Sequence, residues 1–299
     1  IEWKSSAPSI AKVDQNGTIT AIKAGTATIT ARAADGSEKE ASCTVTVRQH
    51  VTGVSVDPQE LSLITGDKAI IKAIITPADA TDKSIIWSSS DKNIATVDSN
   101  GEVTALKAGN AEIYAVTNDG GKKAICRIGI RQLSEGITIE PEEIEIYTGE
   151  TSQLNATLFP ENTSDKTLKW ESSNTSIVTV DQTGLIRAIK AGSATISVTS
   201  TDGGNHSATC TVTVKQHVTS VSISPSSLSL HNGQTSTLNA TVLPSDATDK
   251  TLSWKSSDVS VATVDDSGNV TGIGRGRTTV TATSRDGELE SKCEVEVRQ

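Results

Sequence analysis

Four tryptophans, Trp3, Trp87, Trp170 and Trp254, stand 84, 83 and 84 positions apart, and four cysteines, Cys43, Cys126, Cys210 and Cys293, stand 83, 84 and 83 apart. An internal period constrains a fold more than any other feature, because each copy must fold by the same rules. The phrase "IEWKSSAPSIAKVDQNG" returns as "IIWSSSDKNIATVDSNG", "LKWESSNTSIVTVDQTG" and "LSWKSSDVSVATVDDSG". The period sets complete units at residues 50–132, 133–216 and 217–299, with residues 1–49 as the back part of a fourth. This partial unit lacks counterparts of residues 54–75. Its missing strands are therefore expected to precede Ile1 in a longer parent protein or to come from a neighbouring chain.

A unit of about 83 residues buries one modest core and leaves no room for a deep cleft. Aromatic residues make up 2% of the chain and Met is absent, so each core is built from Val, Ile, Leu and Ala around one Trp. The net charge of -9 divides among the four units as +1, -1, -6 and -3. No unit is basic, which argues against nucleic acid and anionic membrane as partners. No apolar run is long enough to insert into a membrane.

Within residues 133–216, "GITIEP", "EIEIYTG", "SQLNATLFP", "TLKWESS", "SATISVTS" and "ATCTVTVKQ" alternate apolar and polar positions and are separated by turn residues. Short alternating runs of this kind predict an all-β, two-sheet antiparallel sandwich, and no stretch has the 3.6-residue period of a helix. Asp14–Gly17, Asp98–Gly101, Asp181–Gly184 and Asp265–Gly268 each read as a four-residue turn. The "KAG" stretches ending at Gly25, Gly109 and Gly192 read as a second turn, and Pro77, Pro160 and Pro244 end a strand and open a polar loop. Only "RQHVTG" separates Val47 from Val54, so neighbouring units are expected to touch and the array to be stiff and elongated.

These residues carry a family likeness. The run from "PSSLSLHNGQTSTLNATVLPSDATDKTLSWKSSDVSVATVDDSGNVTGI" to "TVTATSRDGELESKCEVEV", with "NGTITAIKAGTATITARAADG", closely resembles bacterial Ig-like domains of group 2. The likeness covers essentially the whole chain. It implies Ig-like β-sandwiches used as stalk or adhesive modules in bacterial surface proteins and phage virion proteins, with no shared catalytic residues. The last copy departs from it at "GIGRGR", where Gly274–Arg275–Gly276 stands in place of Lys-Ala-Gly.

Period-two spacing puts Cys43 on the apolar strand face with Val45 and Val47, so each Cys is expected in its core. Trp3, Trp87, Trp170 and Trp254 share strand faces with Ile1, Ile85, Leu168 and Leu252 and are likewise expected in cores, not on a sugar-binding platform. His50, His206, His217 and His231 are too scattered for a metal or general-base site. One Asp per VDxxG turn, without a D-x-D-x-D run, is a poor calcium ligand set, so no cofactor is expected and calcium is the alternative. The acidic stretch 140–150 reads as a solvated strand face. Lys23, Lys107 and Lys190 sit on turns, poor places for the buried lysine of a covalent cross-link. Arg275 and Arg277, on a turn of the last unit, are the candidates for partner contact.

No nucleophile, base and orienting group recur together, so an enzyme is not expected. The chain reads as a structural or adhesive module that projects or spaces another domain at a bacterial surface. Its partners would be neighbouring domains, with a host protein or glycan as the further possibility. The alternatives are a phage-particle component, a host-binding module and an accessory segment of a secreted enzyme.

Overall fold

The computed structural model describes residues 1–299, all in strands, turns and loops with no helix. The chain divides into two compact units, residues 1–133 with 162–164, and residues 134–161 with 165–299.

The first unit holds the partial repeat and one complete repeat. In the complete one, β6 (Gly53–Asp57) pairs antiparallel with β9 (Lys72–Thr76). β8 (Lys68–Ile70), β12 (Glu102–Ala105) and β11 (Ala95–Val97) continue that layer. The facing layer runs in the order β10 (Ile85–Ser89), β13 (Gly109–Thr117), β14 (Lys123–Arg131), β7 (Glu60–Ile64).

One pairing departs from the expected antiparallel sandwich, because β7 runs parallel to β14. Pro58 lies between β6 and β7 and has no N–H to give a ladder, so pairing with β9 ends at Asp57 and the chain crosses to the other layer. Pro141 and Pro225 stand at the same crossing in the later repeats, whose strands at residues 143–147 and 227–231 also run parallel to their last strands.

The core follows the pleat. Along β13, Ala111, Ile113 and Ala115 point inward and Asn110, Glu112 and Tyr114 outward. They meet Val56, Ile71, Ala95, Val103, Cys126 and Ile128. The second unit repeats this plan twice, around Leu154, Trp170, Val178, Ile186, Ile196, Cys210 and Val212, and around Leu230, Leu238, Val270, Val280, Cys293 and Val295.

Each VDxxG turn does more than reverse the chain. Asp98 Oδ1 accepts the N–H groups of Asn100 and Glu102, both at 2.8 Å. Gly101 has φ +82°, and a methyl group on it would lie 3.0 Å from Cζ2 of Trp87. The same group on Gly17, Gly184 or Gly268 would lie 2.8, 2.9 or 2.8 Å from its own tryptophan. The glycine carbonyl faces inward and accepts the N–H of the fully buried residue that interrupts the opposing edge strand: Ile71 at 2.9 Å, Leu154 at 3.0 Å and Leu238 at 2.9 Å. Trp170 is buried, whereas Trp3, Trp87 and Trp254 are half-buried; Trp87 and Trp254 pack on the edges of their clusters.

The partial repeat has β1 (Glu2–Ser5), β4 (Gly25–Arg32) and β5 (Glu40–Val47) in one sheet and β2 (Ala11–Val13) with β3 (Ile19–Ala21) as a hairpin. It contains no counterpart of β6 to β9. Ala11, Ala27 and Ile29 are still buried. The expectation for Cys43 is corrected: it is exposed, whereas Cys126, Cys210 and Cys293 are buried. The reason is the missing covering strands. Ile19, at the position of the fully buried Val103, Ile186 and Val270, is likewise 40% exposed.

Gly184→Ala should destabilise its repeat by about 1–3 kcal/mol, from left-handed backbone strain plus clashes with the Leu154 carbonyl oxygen at 2.6 Å and with Trp170 at 2.9 Å. Gly149→Ala, at φ +92° with open space around it, should cost less, about 1 kcal/mol of backbone strain alone. Urea unfolding followed by tryptophan fluorescence compares the two.

Candidate functional site

The most elaborate polar geometry is where one repeat gives way to the next. In the first unit Gln49 N–H donates to Thr81 Oγ1 at 2.8 Å, and Thr81 N–H returns a bond to the Gln49 carbonyl at 2.9 Å. Gln132 and Ser164 exchange the same two bonds in that unit, at 2.8 and 2.9 Å. Gln216 and Thr248 do so in the second, also at 2.8 and 2.9 Å.

Two residues later an aspartate accepts a further backbone N–H. Asp119 accepts Val51 N–H at 2.8 Å and lies 3.0 Å from His50 Nδ1. Asp286 accepts Val218 N–H at 2.7 Å and lies 2.9 Å from His217 Nδ1. At the start of the third repeat, where Leu133 and Ser134 replace His and Val, Asp202 accepts the Ser134 N–H and also its hydroxyl at 2.9 Å. Val51, Ser134 and Val218 are all buried.

The electrostatics follow from these bonds. The His50 side-chain bond and the Val51 N–H hold Asp119 below the ordinary carboxylate value, and Val218 N–H and then His217 do the same for Asp286. Burial works to raise Asp202, but the donors on Ser134, Gly204 and Ser200 outweigh it and the net direction is down. Asp82 is lowered from 3.8 to about 2 by the Ser84 hydroxyl and N–H, by Asn118, and by Arg48 from the preceding repeat. His217 also stacks flat on Tyr147, with ring centroids 3.6 Å apart and planes 5° from parallel. Beside it Lys215 Nζ reaches Glu145 at 2.6 Å.

The three clamp aspartates escape a reading of the sequence because each stands in a D-G pair, "NDG", "TDG" or "RDG", that passes for an ordinary hairpin turn. Their recurrence at a near-constant offset before the Cys is the signal that finds them. Asp35 of the partial repeat sits in the same pair and bonds only locally, to Ser37 N–H at 3.0 Å.

Other sequence candidates are dispersed. Arg275 and Arg277 are exposed beside a shallow depression at the end of the last repeat. Arg277 reaches Glu296 at 3.3 Å, and Arg298 reaches the same carboxylate at 2.7 Å, so one of the two candidate arginines is already neutralised by its own sheet. Lys23, Lys107 and Lys190 are exposed on their turns. Each VDxxG aspartate has its Oδ1 engaged by backbone N–H groups, and no three His, Cys, Asp or Glu side chains gather as a metal site.

The repeating sandwich and its glycine-backed turns define a class, tandem immunoglobulin-like modules. The chain belongs to the bacterial Ig-like domain (group 2) family, whose model matches residues 1–45, 50–128, 134–212 and 217–295. It is 29% identical over 295 residues to an ice-binding protein of Shewanella frigidimarina, a match covering 94% of this chain and 32% of that protein. It is 32% identical over 169 residues to an Ig-like virion protein of Serratia phage KSP90, covering 55% of this chain and 65% of that one. Over 74 residues it is 45% identical to an alpha-L-arabinofuranosidase of Bifidobacterium longum, covering 25% of this chain and 7% of the enzyme.

Asp82 has its folded pKa below its unfolded value, so its contribution is present above pH 3.8 and is lost as pH falls toward about 2. The thermal midpoint should therefore fall between pH 4 and pH 2, and less so in Asp82→Asn, as followed by circular dichroism. Asp202→Ala leaves the buried Ser134 N–H and hydroxyl without their acceptor and should cost about 1–3 kcal/mol in urea unfolding.

Proposed function

We propose that this chain is a non-catalytic structural module whose repeats space or project another domain at a bacterial surface. The observation that carries the reading is the repeated hydrogen-bonding of the residues that start each complete repeat. Reciprocal bonds hold Gln49, Gln132 and Gln216, and buried neighbours two residues on are bound by Asp119, Asp202 and Asp286. Such bonding fixes the residues that open each complete repeat, as suits a module that spaces other domains. The relatives support it: an ice-binding protein, a virion protein and a glycosidase are similar to this chain over Ig-like repeats. One repeat serving beside such different activities fits a module that positions other domains.

A second reading, a component of a phage particle, is favoured by the Serratia phage protein, of which this chain covers 65%. Either location places the chain outside the bacterial cytoplasm. Adhesion to a host protein or glycan would be a further property of outward strand faces, which differ from repeat to repeat.

Pulling the chain by its ends in single-molecule force spectroscopy tests the spacer. Three similar unfolding events are expected, each releasing about 250–300 Å of chain, from about 3.3–3.6 Å per extended residue. Retention of the chain on an array of glycans and matrix proteins, at affinities comparable to dedicated receptors, would sink the spacer reading in favour of a binder.

A further inference from the structure

The second repeat differs from the other three on the outward face of one sheet. There Ile86, Val116, Tyr114 and Ile125 adjoin one another across β10, β13 and β14, with Ile86 opposite Val116 and Tyr114 opposite Ile125. Ile86 is 58% exposed and Ile125 38%, and Tyr114 and Val116 are half-buried beside them. The same four positions are Glu2, Arg32, Thr30 and Ser42 in the partial repeat. They are Lys169, Thr199, Ser197 and Thr209 in the third repeat, and Ser253, Thr283, Thr281 and Lys292 in the fourth. The sandwich thus forms with polar residues at all four positions and has no need of the apolar ones. A contiguous exposed apolar patch of this kind marks an interaction surface. Next to it, Asn110 of β13 stands opposite Gly129 of β14 in a shallow depression. Gly129 is not in the left-handed region, and a methyl group on it would meet only Asn110 Oδ1, at an ordinary 3.6 Å. Thr46, Thr213 and Glu296 take its place in the other repeats. Neither backbone nor packing calls for glycine here, whereas close approach of another chain does.

We infer that this face pairs with the same face of a second copy of the chain, about a two-fold axis running along the strands between β13 and β14. Such an axis exchanges the two strands and keeps their register, in which Glu112 is opposite Arg127 and Val116 opposite Lys123. Tyr114 then lies over the second copy's Ile125, Glu112 over its Arg127, and Asn110 over its Gly129, filling the depression. Val116 meets the aliphatic stem of the second copy's Lys123, whose ammonium rests on the Tyr114 ring of its own copy, 3.6 Å from the centroid. Each contact occurs twice. Charge selects this arrangement. A two-fold axis across the strands at the level of Tyr114 would set Lys123 against the second copy's Arg127, and Val116 against its Glu112, so that like charges face each other and a carboxylate lies on an apolar group.

Analytical ultracentrifugation of the 299-residue chain, over about 1 µM to 1 mM, tests the pairing. A reversible equilibrium between monomer and dimer is expected. Ile86→Lys together with Ile125→Lys should weaken the dimer by about tenfold or more. The fold accepts both changes, since Lys169 and Lys292 hold these positions in the third and fourth repeats. Glu112→Arg and Arg127→Glu should each weaken the dimer when present alone. An equimolar mixture of these two variants should restore it, because each altered residue then faces its opposite charge in the other copy. A chain that stays monomeric throughout overturns the proposal and gives the face to a partner of another kind. Dimers that persist unchanged in the double lysine variant also overturn it, as does a mixture of the charge variants that dimerises no better than either alone.

Discussion

The architecture of each repeat depends on one contact, the indole of the repeat's tryptophan lying against a turn glycine from the opposite layer. Trp87 belongs to the sheet that carries β13 and β14, and Gly101 to the turn that joins β11 to β12 in the other. Left-handed backbone turns the glycine carbonyl inward, where it takes the N–H of Ile71 and so satisfies a buried donor at the break between β8 and β9. A single aromatic group per repeat suffices because it is placed where both sheets and an edge-strand break converge. The remaining core is filled by aliphatic side chains, small and β-branched ones with a few leucines, whose alternation needs no second aromatic residue.

The repeat starts obey the same economy of polar groups. A chain leaving one sandwich and entering the next must satisfy its backbone donors without a sheet to pair with. Here a Thr or Ser hydroxyl from a loop and an Asp carboxylate from a hairpin do this two residues apart. The aspartates of the first and last complete repeats are partly exposed, so each bond there is a modest contribution, whereas Asp202 is buried with the Ser134 groups it accepts. The variation among copies falls on side chains beyond the backbone: His50 and His217 add a ring contact to the aspartate, and Ser134 substitutes a hydroxyl.

The partial repeat separates what a β-sandwich layer does alone from what it needs its partner for. β1, β4 and β5 pair in the same register as their counterparts, and the Asp14 turn closes with the same bonds. Those are properties of local hydrogen bonding. Burial of Ile19 and Cys43 is not, because it requires apolar surface from strands distant in sequence.

Much of this protein was legible in its residues: the period, the alternation that makes strands, the Asp-to-Gly turns and the strand-ending prolines. All rest on local rules, steric limits on φ and a side-chain period of two, which act the same way in any surroundings. Family membership was legible for the same reason, since the motif order is a local record repeated four times. The sequence did not disclose that Asp119, Asp202 and Asp286 bind backbone 68 residues away. Nor did it show that β7 runs parallel to β14, or that Cys43 stands in solvent beside three buried equivalents. Sequence by itself determined which segments are strands and where they turn. Only the tertiary structure decided which edges are paired and which side chains are covered, because pairing and burial depend on what another part of the chain brings to the same place.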